Sequence, residues 1–486
     1  MFYIAFSLTL AAAVLMLLFI SKKEGQSILD RVIKIATVLF ISLSLIELFL
    51  PDLFMCTHEA DTLKTMTGTK LHAILRWLNL VSFTVLPIAV FQKNKYFEKI
   101  ASFVCFPVAI VNVAAFDRYI EYFTANSYSG LQTVRVLPQT LKDALINEHF
   151  RTVFFGLTCL FQLVALALLT YRNREKIKIA KNEIVNLILI LIGLTYISLP
   201  IYVPQYLFGH VDLMMIRFTP VHLAWIAAIP IILVSLYFMF RNKSYEARYL
   251  LVLSLAWALV MQFSQMYTAS SELNIMKLPL QLCNLGSYLG LIMLLKKSNS
   301  IFRFALIVNV VGAVIAIIVL DIGKDISHLS RLWVVHFIVE HTKVFIIPIL
   351  CLVLRIFKPL DMKSIKSFTF GFTAYYLFVF VLGTISNGFY RMFEGNFIQN
   401  FFYANHLFMF DKDIARGLVG FTDPLFDACV LKFGSFEIYP VVQGLVYVAY
   451  MVLCLGVYLL MYALSGKQRK SYALQNSQMS CETQQT

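Results

Sequence analysis

The stretch FRFALIVNVVGAVIAIIVL, residues 302–320, is apolar apart from Arg303 and Asn309. A helix of about 20 mostly apolar residues crosses a bilayer core roughly 30 Å thick, so this stretch predicts a transmembrane helix. Twelve other stretches share its length and composition: 2–20, 31–50, 72–91, 99–116, 152–171, 184–204, 219–240, 249–267, 278–295, 333–354, 368–389 and 441–463. Because a lipid-embedded backbone must satisfy its own hydrogen bonds, we expect an all-α, polytopic membrane bundle of about thirteen transmembrane helices.

The overall composition excludes a soluble globular protein. Of the 486 residues, 59% are hydrophobic and 14% are charged, whereas soluble domains carry about 25% charged residues. The first apolar stretch, 2–20, has no basic residue before it, and Lys22 and Lys23 follow it. This order is the reverse of a signal peptide, so we expect a retained helix.

The net charge of +14 is explained by topology. If the N-terminus is outside, 24 of the 41 Lys and Arg residues fall in short loops that are all inside, as the positive-inside rule requires. We therefore predict an outside N-terminus and a disordered cytoplasmic tail, residues 466–486. Membrane lipids, whose anionic headgroups suit such loops, are the expected partners, and nucleic acid is not. The oligomeric state stays open.

The chain resembles itself at a displacement of about 200 residues. Asn79-Leu-Val-Ser-Phe83 parallels Asn284-Leu-Gly-Ser-Tyr288, and each is followed by a basic turn containing an Asn and a Phe. We predict a leader helix and two six-helix halves of equal orientation, followed by the tail: 1–28, 29–240, 245–465 and 466–486. Chance similarity between apolar sequences is the alternative.

Cys283 and His341 are the first candidates for chemistry. Cys283 lies in a predicted helix that starts at Leu278, and His341 lies in the predicted helix 333–354. At 1.5 Å per residue, both side chains fall in the predicted outer half of the bilayer. A thiol becomes a good nucleophile when a neighbouring base takes its proton, so the pair suits acyl transfer through a thioester. A small packing residue is the other interpretation of Cys283.

The helix that carries His341 also carries His336, Glu340 and Lys343. At 100° per residue these three side chains lie within about 60° of one another, and His341 points away from His336. Ionisable groups in lipid are expensive, so this helix is expected to face protein or water. The three side chains are predicted either to support catalysis or to form an ion-pair hub between helices.

The eight cysteines include no CxxC pair and no other metal-ligand spacing. We therefore expect no metal and no cofactor. Cys56 and Cys429 fall in predicted outer loops, and whether they pair stays open.

Several short motifs resemble those of the YwaF family of bacterial membrane proteins. They are Leu278-Pro-Leu-Gln-Leu-Cys283, Phe337 with His341 and Pro348, Ser386-Asn387-Gly-Phe-Tyr390, and Gly434-Ser-Phe-Glu-Ile-Tyr439, and they fall within 245–465. The resemblance extends to eukaryotic membrane phospholipid acyltransferases and, more distantly, to lipid-ester hydrolases. It implies Cys283 as nucleophile and His341 as base, and it puts Asn387 and Asp321 at positions that are polar in the bacterial proteins.

We therefore expect a lipid acyltransferase or lipid-ester hydrolase with a Cys283/His341 pair near the outer leaflet. Asn284 or backbone N–H groups would hold the oxyanion, and the loops 117–150 and 390–440 would form either a lid or ordinary surface. The alternatives are a secondary transporter or flippase, with its site at His336, Glu340 and Lys343, and a non-catalytic scaffold or sensor. The composition suggests a multi-pass protein of a bacterial inner membrane.

Overall fold

The computed structural model describes most of the chain, and every structural statement below concerns the described residues alone. They are 28–49, 70–116, 140, 143, 147–181, 183–184, 186–188, 190, 213–268, 275–320, 329, 332–396, 399–410 and 423–466.

The chain divides into two compact units. Unit 1 comprises Met1–Leu213, Met261–Glu272 and His328–His336, and unit 2 comprises Met214–Val260, Leu273–Ser327 and Phe337–Thr486. Whether these units correspond to the predicted halves 29–240 and 245–465 stays a prediction.

Unit 1 contains four long described helices. They are α1 (Ile28–Phe49), α2 (Lys70–Phe91), α3 (Lys95–Ala114) and α4 (Glu148–Asn173). α4 packs against α1 and α3, and α2 packs against the same two helices. Asn94 caps α3 by accepting hydrogen bonds from the Tyr96 and Phe97 amides.

Charged side chains join the ends of these helices. Arg172 at the end of α4 donates to Asp30 at 2.8 Å and to Glu98 at 2.7 Å, and Lys99 pairs with Glu183. Most of these residues lie at the loops that the charge pattern assigns to the inside of the membrane, where long basic side chains reach the interface.

Unit 2 contains the remaining long helices. They are α5 (Pro220–Phe240), α6 (Tyr245–Thr268), α7 (Leu282–Lys296), α8 (Asn299–Val319), α9 (Leu332–Val353), α10 (Lys363–Met392) and, after the short α11 (Asp423–Asp427), α12 (Pro440–Leu464). The last residues of α6 and the first of α9 belong to unit 1. α7 contacts α8, which packs in turn against α10 and α12.

The all-α prediction misses one β-hairpin. Strands β1 (Leu431–Phe433) and β2 (Phe436–Ile438) pair antiparallel, with Phe433 opposite Phe436. The two-residue loop begins at Gly434, whose φ is +64°. A tight hairpin turn requires this left-handed conformation, which glycine adopts without strain. The hairpin follows α11 and packs against α10.

Seven described helices are long and apolar enough to cross a membrane: α3, α4 from Thr152, α5, α8, α9 from Val334, α10 and α12. The chain is thus a membrane protein whose described residues are mainly helical. The predicted span 2–20 and most of 184–204 lie outside the described residues, so thirteen spans and their orientation stay predictions.

The predicted helix 278–295 begins later than expected. α7 starts at Leu282, after a short 3₁₀ turn at Ile275–Lys277 and a non-helical lead-in. Leu278 and Leu280 made the lead-in appear continuous with the helix, but Pro279 lacks the N–H that an α-helix interior requires.

Candidate functional site

α7 is shorter than the other long helices of unit 2, and it begins after non-helical backbone. The helix has 15 residues and is therefore about 22 Å long, which is less than the roughly 30 Å of a bilayer core. Non-helical backbone at membrane depth is tolerated only where protein or a polar cavity surrounds it. The N-terminus of α7 is therefore expected to lie inside protein and to mark a site.

Two side chains from neighbouring helices satisfy the carbonyls of this lead-in. The Tyr375 hydroxyl of α10 donates to the Leu280 carbonyl at 2.5 Å, and Asn309 Nδ2 of α8 donates to the Leu282 carbonyl. Asn309 is the last residue of a π-helical turn, Ala305–Asn309, a geometry that is frequent at functional sites. These bonds supply donors to two carbonyls at the start of α7.

Cys283 is the second residue of α7, and its thiol donates a hydrogen bond to Asn284 Oδ1 at 3.4 Å. The N-cap residue, Gln281, makes no side-chain hydrogen bond to the first turn. The first N–H groups of a helix have no intrahelical acceptor, and they favour negative charge beside them. A thiolate or an oxyanion formed at Cys283 would meet these donors.

α9 supplies the acidic neighbour of Cys283. Ser287, one turn below Cys283, donates to the Cys283 carbonyl at 3.3 Å and to Glu340 Oε1 at 3.5 Å. The Glu340 carboxylate lies close enough to the Cys283 thiol to interact with it electrostatically, and its side chain is buried. α7 and α9 are in close contact here, because a Cβ on Gly286 would lie 2.9 Å from Val344.

His341 follows Glu340 by one residue, so its side chain leaves α9 about 100° further round the helix. Its Nδ1 lies 2.6 Å from the Phe337 carbonyl, and its ring packs on the Phe337 ring with 4.1 Å between centroids. Because a carbonyl only accepts hydrogen bonds, Nδ1 carries the proton and Nε2 presents its lone pair. A neutral imidazole in either tautomer can act as a general base, and in this tautomer the basic nitrogen is Nε2.

α5 packs against the His341 side of α9. The Trp225 indole donates to Thr342 Oγ1 at 2.9 Å and stacks edge-on with Phe337. His222, one turn earlier, is fully satisfied: Nδ1 accepts from the Phe218 amide and Nε2 donates to the Ile317 carbonyl. The Trp225 contacts hold α5 against this part of α9, and the His222 contact holds α5 against α8.

The predicted site residues are distributed as follows. Cys283, Asn284 and Glu340 come together, and His341 projects from the adjoining face of α9. His336 and Lys343 are buried one turn either side of Glu340 on α9. Asn387 lies apart from Cys283, near the C-terminal end of α10, where Nδ2 donates to the Gly383 and Ala404 carbonyls. Asp321 lies outside the described residues.

Sequence reasoning missed the groups that complete the surroundings of Cys283. Tyr375 of α10 and Tyr450 of α12 both lie within electrostatic range of its thiol. Asn309 holds the start of α7, as described above. Aromatic residues are numerous in α10 and α12, so no motif distinguishes these two tyrosines. The π-helical turn, which arises from packing, turns Asn309 toward α7.

α7, α9, α10 and α12 place the side chains around Cys283 at similar distances from one end of each helix. Cys283, Glu340, Tyr375 and Tyr450 lie 12 to 14 residues from the ends of their helices at Lys296, Val353, Lys363 and Leu464. Each distance is about 18–21 Å along the helix axis. The site therefore lies deep within the bundle of unit 2 rather than in a loop.

Residues 217–455 match the model of the TMEM164 family, a membrane protein family, over just under half of the chain. The match begins just before α5 and ends within α12, so it covers most of unit 2, two short segments of unit 1 and all of the site residues named above. The predicted resemblance covered nearly the same residues; the model that matches is that of the TMEM164 family, and the YwaF resemblance is not confirmed. Neither a curated protein nor a solved structure matches the chain.

Proposed function

We propose that this protein is a membrane-embedded acyltransferase or hydrolase acting on lipid esters, with Cys283 as nucleophile and His341 as general base. The observation that carries the proposal is the position of Cys283 in the first turn of α7, an apolar helix whose 15 residues are too few to cross a bilayer core. The tautomer of His341 supports its role as the base.

The reaction begins when a lipid acyl chain enters between helices and presents its ester carbonyl to Cys283. The thiol proton passes to His341 Nε2 as sulfur bonds to the carbonyl carbon. N–H groups at the start of α7 stabilise the resulting oxyanion. Collapse of the intermediate breaks the ester C–O bond, His341 returns the proton to the leaving alcohol, and the acyl group stays on Cys283 as a thioester. A second alcohol or water then takes the acyl group by the reverse proton path.

His341 must reach the thiol for this sequence to operate. Glu340 is the α9 carboxylate beside Cys283, whereas His341 leaves the helix a quarter-turn away. The proposed reaction therefore requires that lipid binding bring His341 Nε2 within hydrogen-bond distance of the Cys283 thiol. Catalytic hydrogen bonds are often long until substrate binds. Glu340 is thus assigned a supporting role, next to the nucleophile.

Lipid turnover in reconstituted vesicles tests the proposal. Full-length protein in phosphatidylcholine vesicles is expected to release lysophospholipid or to transfer acyl chains to an added lysophospholipid. Cys283→Ala and His341→Ala should each lower this rate by about 100-fold or more. Cys351→Ala, which removes a buried thiol near the C-terminal end of α9, is the matched control and should retain the rate. Full turnover by Cys283→Ala would refute the assignment.

A transporter or flippase is the second candidate, and the same short helix favours it. Helices that begin at membrane depth form the substrate sites of many transporters. Buried Glu340 and Lys343 would then bind the substrate or a coupling ion. In that case Lys343→Ala should abolish movement of a fluorescent lipid between leaflets, and Cys283→Ala should leave that movement unchanged.

A further inference from the structure

A second polar site lies where residues 399–410, here called the cap segment, cover the lead-in to α7. The Met276 amide donates to the Tyr403 carbonyl at 3.1 Å, and the Asn405 amide lies 3.3 Å from Met276 Sδ. Asn387 of α10 binds the Ala404 carbonyl from the other side. The cap segment is thus held between α10 and the chain that leads to Cys283.

Two adjacent side chains of the cap segment are buried without satisfying their polar atoms. Asn405 and His406 are both 0% exposed. Asn405 Oδ1 accepts from the Phe410 amide at 3.0 Å, but Asn405 Nδ2 and both ring nitrogens of His406 have no partner among the described residues. The Ile275 backbone approaches the ring without reaching hydrogen-bond geometry. A buried polar atom without a hydrogen bond lowers the free energy of unfolding by about 1–3 kcal/mol, so such atoms call for an explanation.

The chemistry of the two side chains defines what would bind. Burial lowers the pKa of His406 to about 4, so the ring is neutral at physiological pH and offers one donor and one acceptor. Asn405 Nδ2 adds further donors. The partner is therefore an oxygen-rich group that accepts hydrogen bonds and can also donate one.

The apolar surroundings favour a lipid as the source of that group. Ile385, Met392 and Phe401 are exposed apolar side chains on the same end of α10 and on the cap segment. In a membrane protein, exposed apolar side chains of this kind contact acyl chains. The polar ends of those lipids then lie beyond the acyl chains, at the membrane interface. A lipid whose chain lies along this face could bring its headgroup to the cap segment.

We propose that Asn405 and His406 form a binding site for the headgroup of a membrane lipid, through its phosphate or hydroxyl oxygens. This assignment requires lipid binding alone, so it holds or fails independently of any reaction at Cys283. If the proposed acyl transfer also occurs, the site would hold the headgroup of the lipid whose ester lies deeper, at α7.

Photo-crosslinking of the full-length protein in phosphatidylcholine vesicles tests the site. Two phosphatidylglycerol probes are compared, one with a diazirine on the headgroup and one with a diazirine at the end of an acyl chain. The headgroup probe is expected to label peptides from the cap segment, and the acyl-chain probe should label transmembrane helices. His406→Phe should reduce the headgroup labelling at least fivefold. Cys283→Ser should leave it unchanged, even if that variant has lost lipid turnover.

His222→Phe is the matched control, because His222 is equally buried but has both nitrogens bonded. It should retain cap-segment labelling while melting at a lower temperature than the native protein. His406→Phe, which removes unpaired polar atoms, should melt at the same temperature or higher when no lipid is bound. Absence of headgroup labelling on the cap segment, or labelling that persists undiminished in His406→Phe, would overturn the proposal and leave buried water as the partner.

Discussion

Single side chains supply the hydrogen bonds that the non-helical lead-in to α7 needs. Tyr375→Phe removes the hydroxyl that serves the Leu280 carbonyl and leaves the ring in place. A buried carbonyl without a donor costs about 1–3 kcal/mol, so the variant should melt at a lower temperature in detergent. Tyr245→Phe, at a half-exposed position, is the control and should melt like the native chain. Equal melting temperatures for all three proteins would show that this bond does not stabilise the helix start.

Close packing at glycine gives a second prediction at the residue scale. A Cβ on Gly383 would lie 2.2 Å from the Phe410 ring, so Gly383→Ala should force the cap segment away from α10 and destabilise the protein by about 1–3 kcal/mol. Gly444 in α12 has open space around it, so Gly444→Ala should be neutral or stabilising by up to about 1 kcal/mol. Thermal unfolding of both variants checks the contrast, and an unchanged Gly383→Ala would argue against the packing described here.

The candidate site was only partly predictable at this scale. The residue types and positions singled out Cys283, Asn284 and Glu340, but they predicted His341 beside Cys283, and Glu340 is the α9 side chain within electrostatic range of that thiol. Tyr375 and Tyr450 could not be predicted, because their approach to Cys283 depends on how α10 and α12 pack. The roles of Cys283 and His341 in catalysis stay predictions.

At the scale of the elements, an ion pair between Glu437 and Arg391 joins the β-hairpin to α10. Glu437 accepts from the Tyr439 hydroxyl at 2.6 Å and pairs with Arg391 at 2.9 Å and with Lys432 at 3.0 Å. Partial burial opposes ionisation of Glu437, but the bonds from Tyr439 and Lys432 and the nearby Arg391 charge outweigh it. The pKa of Glu437 is therefore held below its ordinary value of 4.5.

A depressed carboxyl pKa stabilises the folded state above the unfolded pKa, and this contribution disappears as the pH falls through the folded pKa. The native protein should therefore melt at a higher temperature than Glu437→Gln at pH 6. The difference between the two should shrink as the pH falls from about 5 to about 3. Melting curves across this range provide the test, and a difference independent of pH would contradict the ionic attachment.

The helices themselves were largely predictable, because long apolar runs in a membrane admit few alternatives. The start of α7 was not, since its apolar lead-in resembles helix by hydropathy. The hairpin was also missed, since two strands of three residues each are too short to show a clear alternation of apolar and polar residues. A π-helical turn occurs at the same offset in α3 (Ala101–Cys105) and α8 (Ala305–Asn309), and Lys93 and Lys297 precede these helices with the same φ of +49°. This likeness supports the predicted duplication, which stays a prediction.

For the whole molecule, the orientation in the membrane is a prediction that two native thiols can test. Cys429 lies in a predicted outer loop and Cys481 in the predicted cytoplasmic tail. In a Cys56→Ser background, a membrane-impermeant maleimide should label Cys429 in intact cells and Cys481 only after permeabilisation. Cys429→Ser and Cys481→Ser identify each signal. Labelling of Cys481 in intact cells would show that the orientation is the reverse of the predicted one. The cap segment would then lie on the cytoplasmic side.

The central claim is that Cys283 carries the acyl group during lipid turnover, and a direct measurement can detect it there. Protein in phosphatidylcholine vesicles is quenched rapidly in acid, digested and analysed by mass spectrometry for the peptide that contains Cys283. We predict an acyl adduct on Cys283 that hydroxylamine removes and that His341→Ala lacks. Lysophospholipid production with an unmodified Cys283 peptide, under conditions that preserve a thioester standard, would contradict the account.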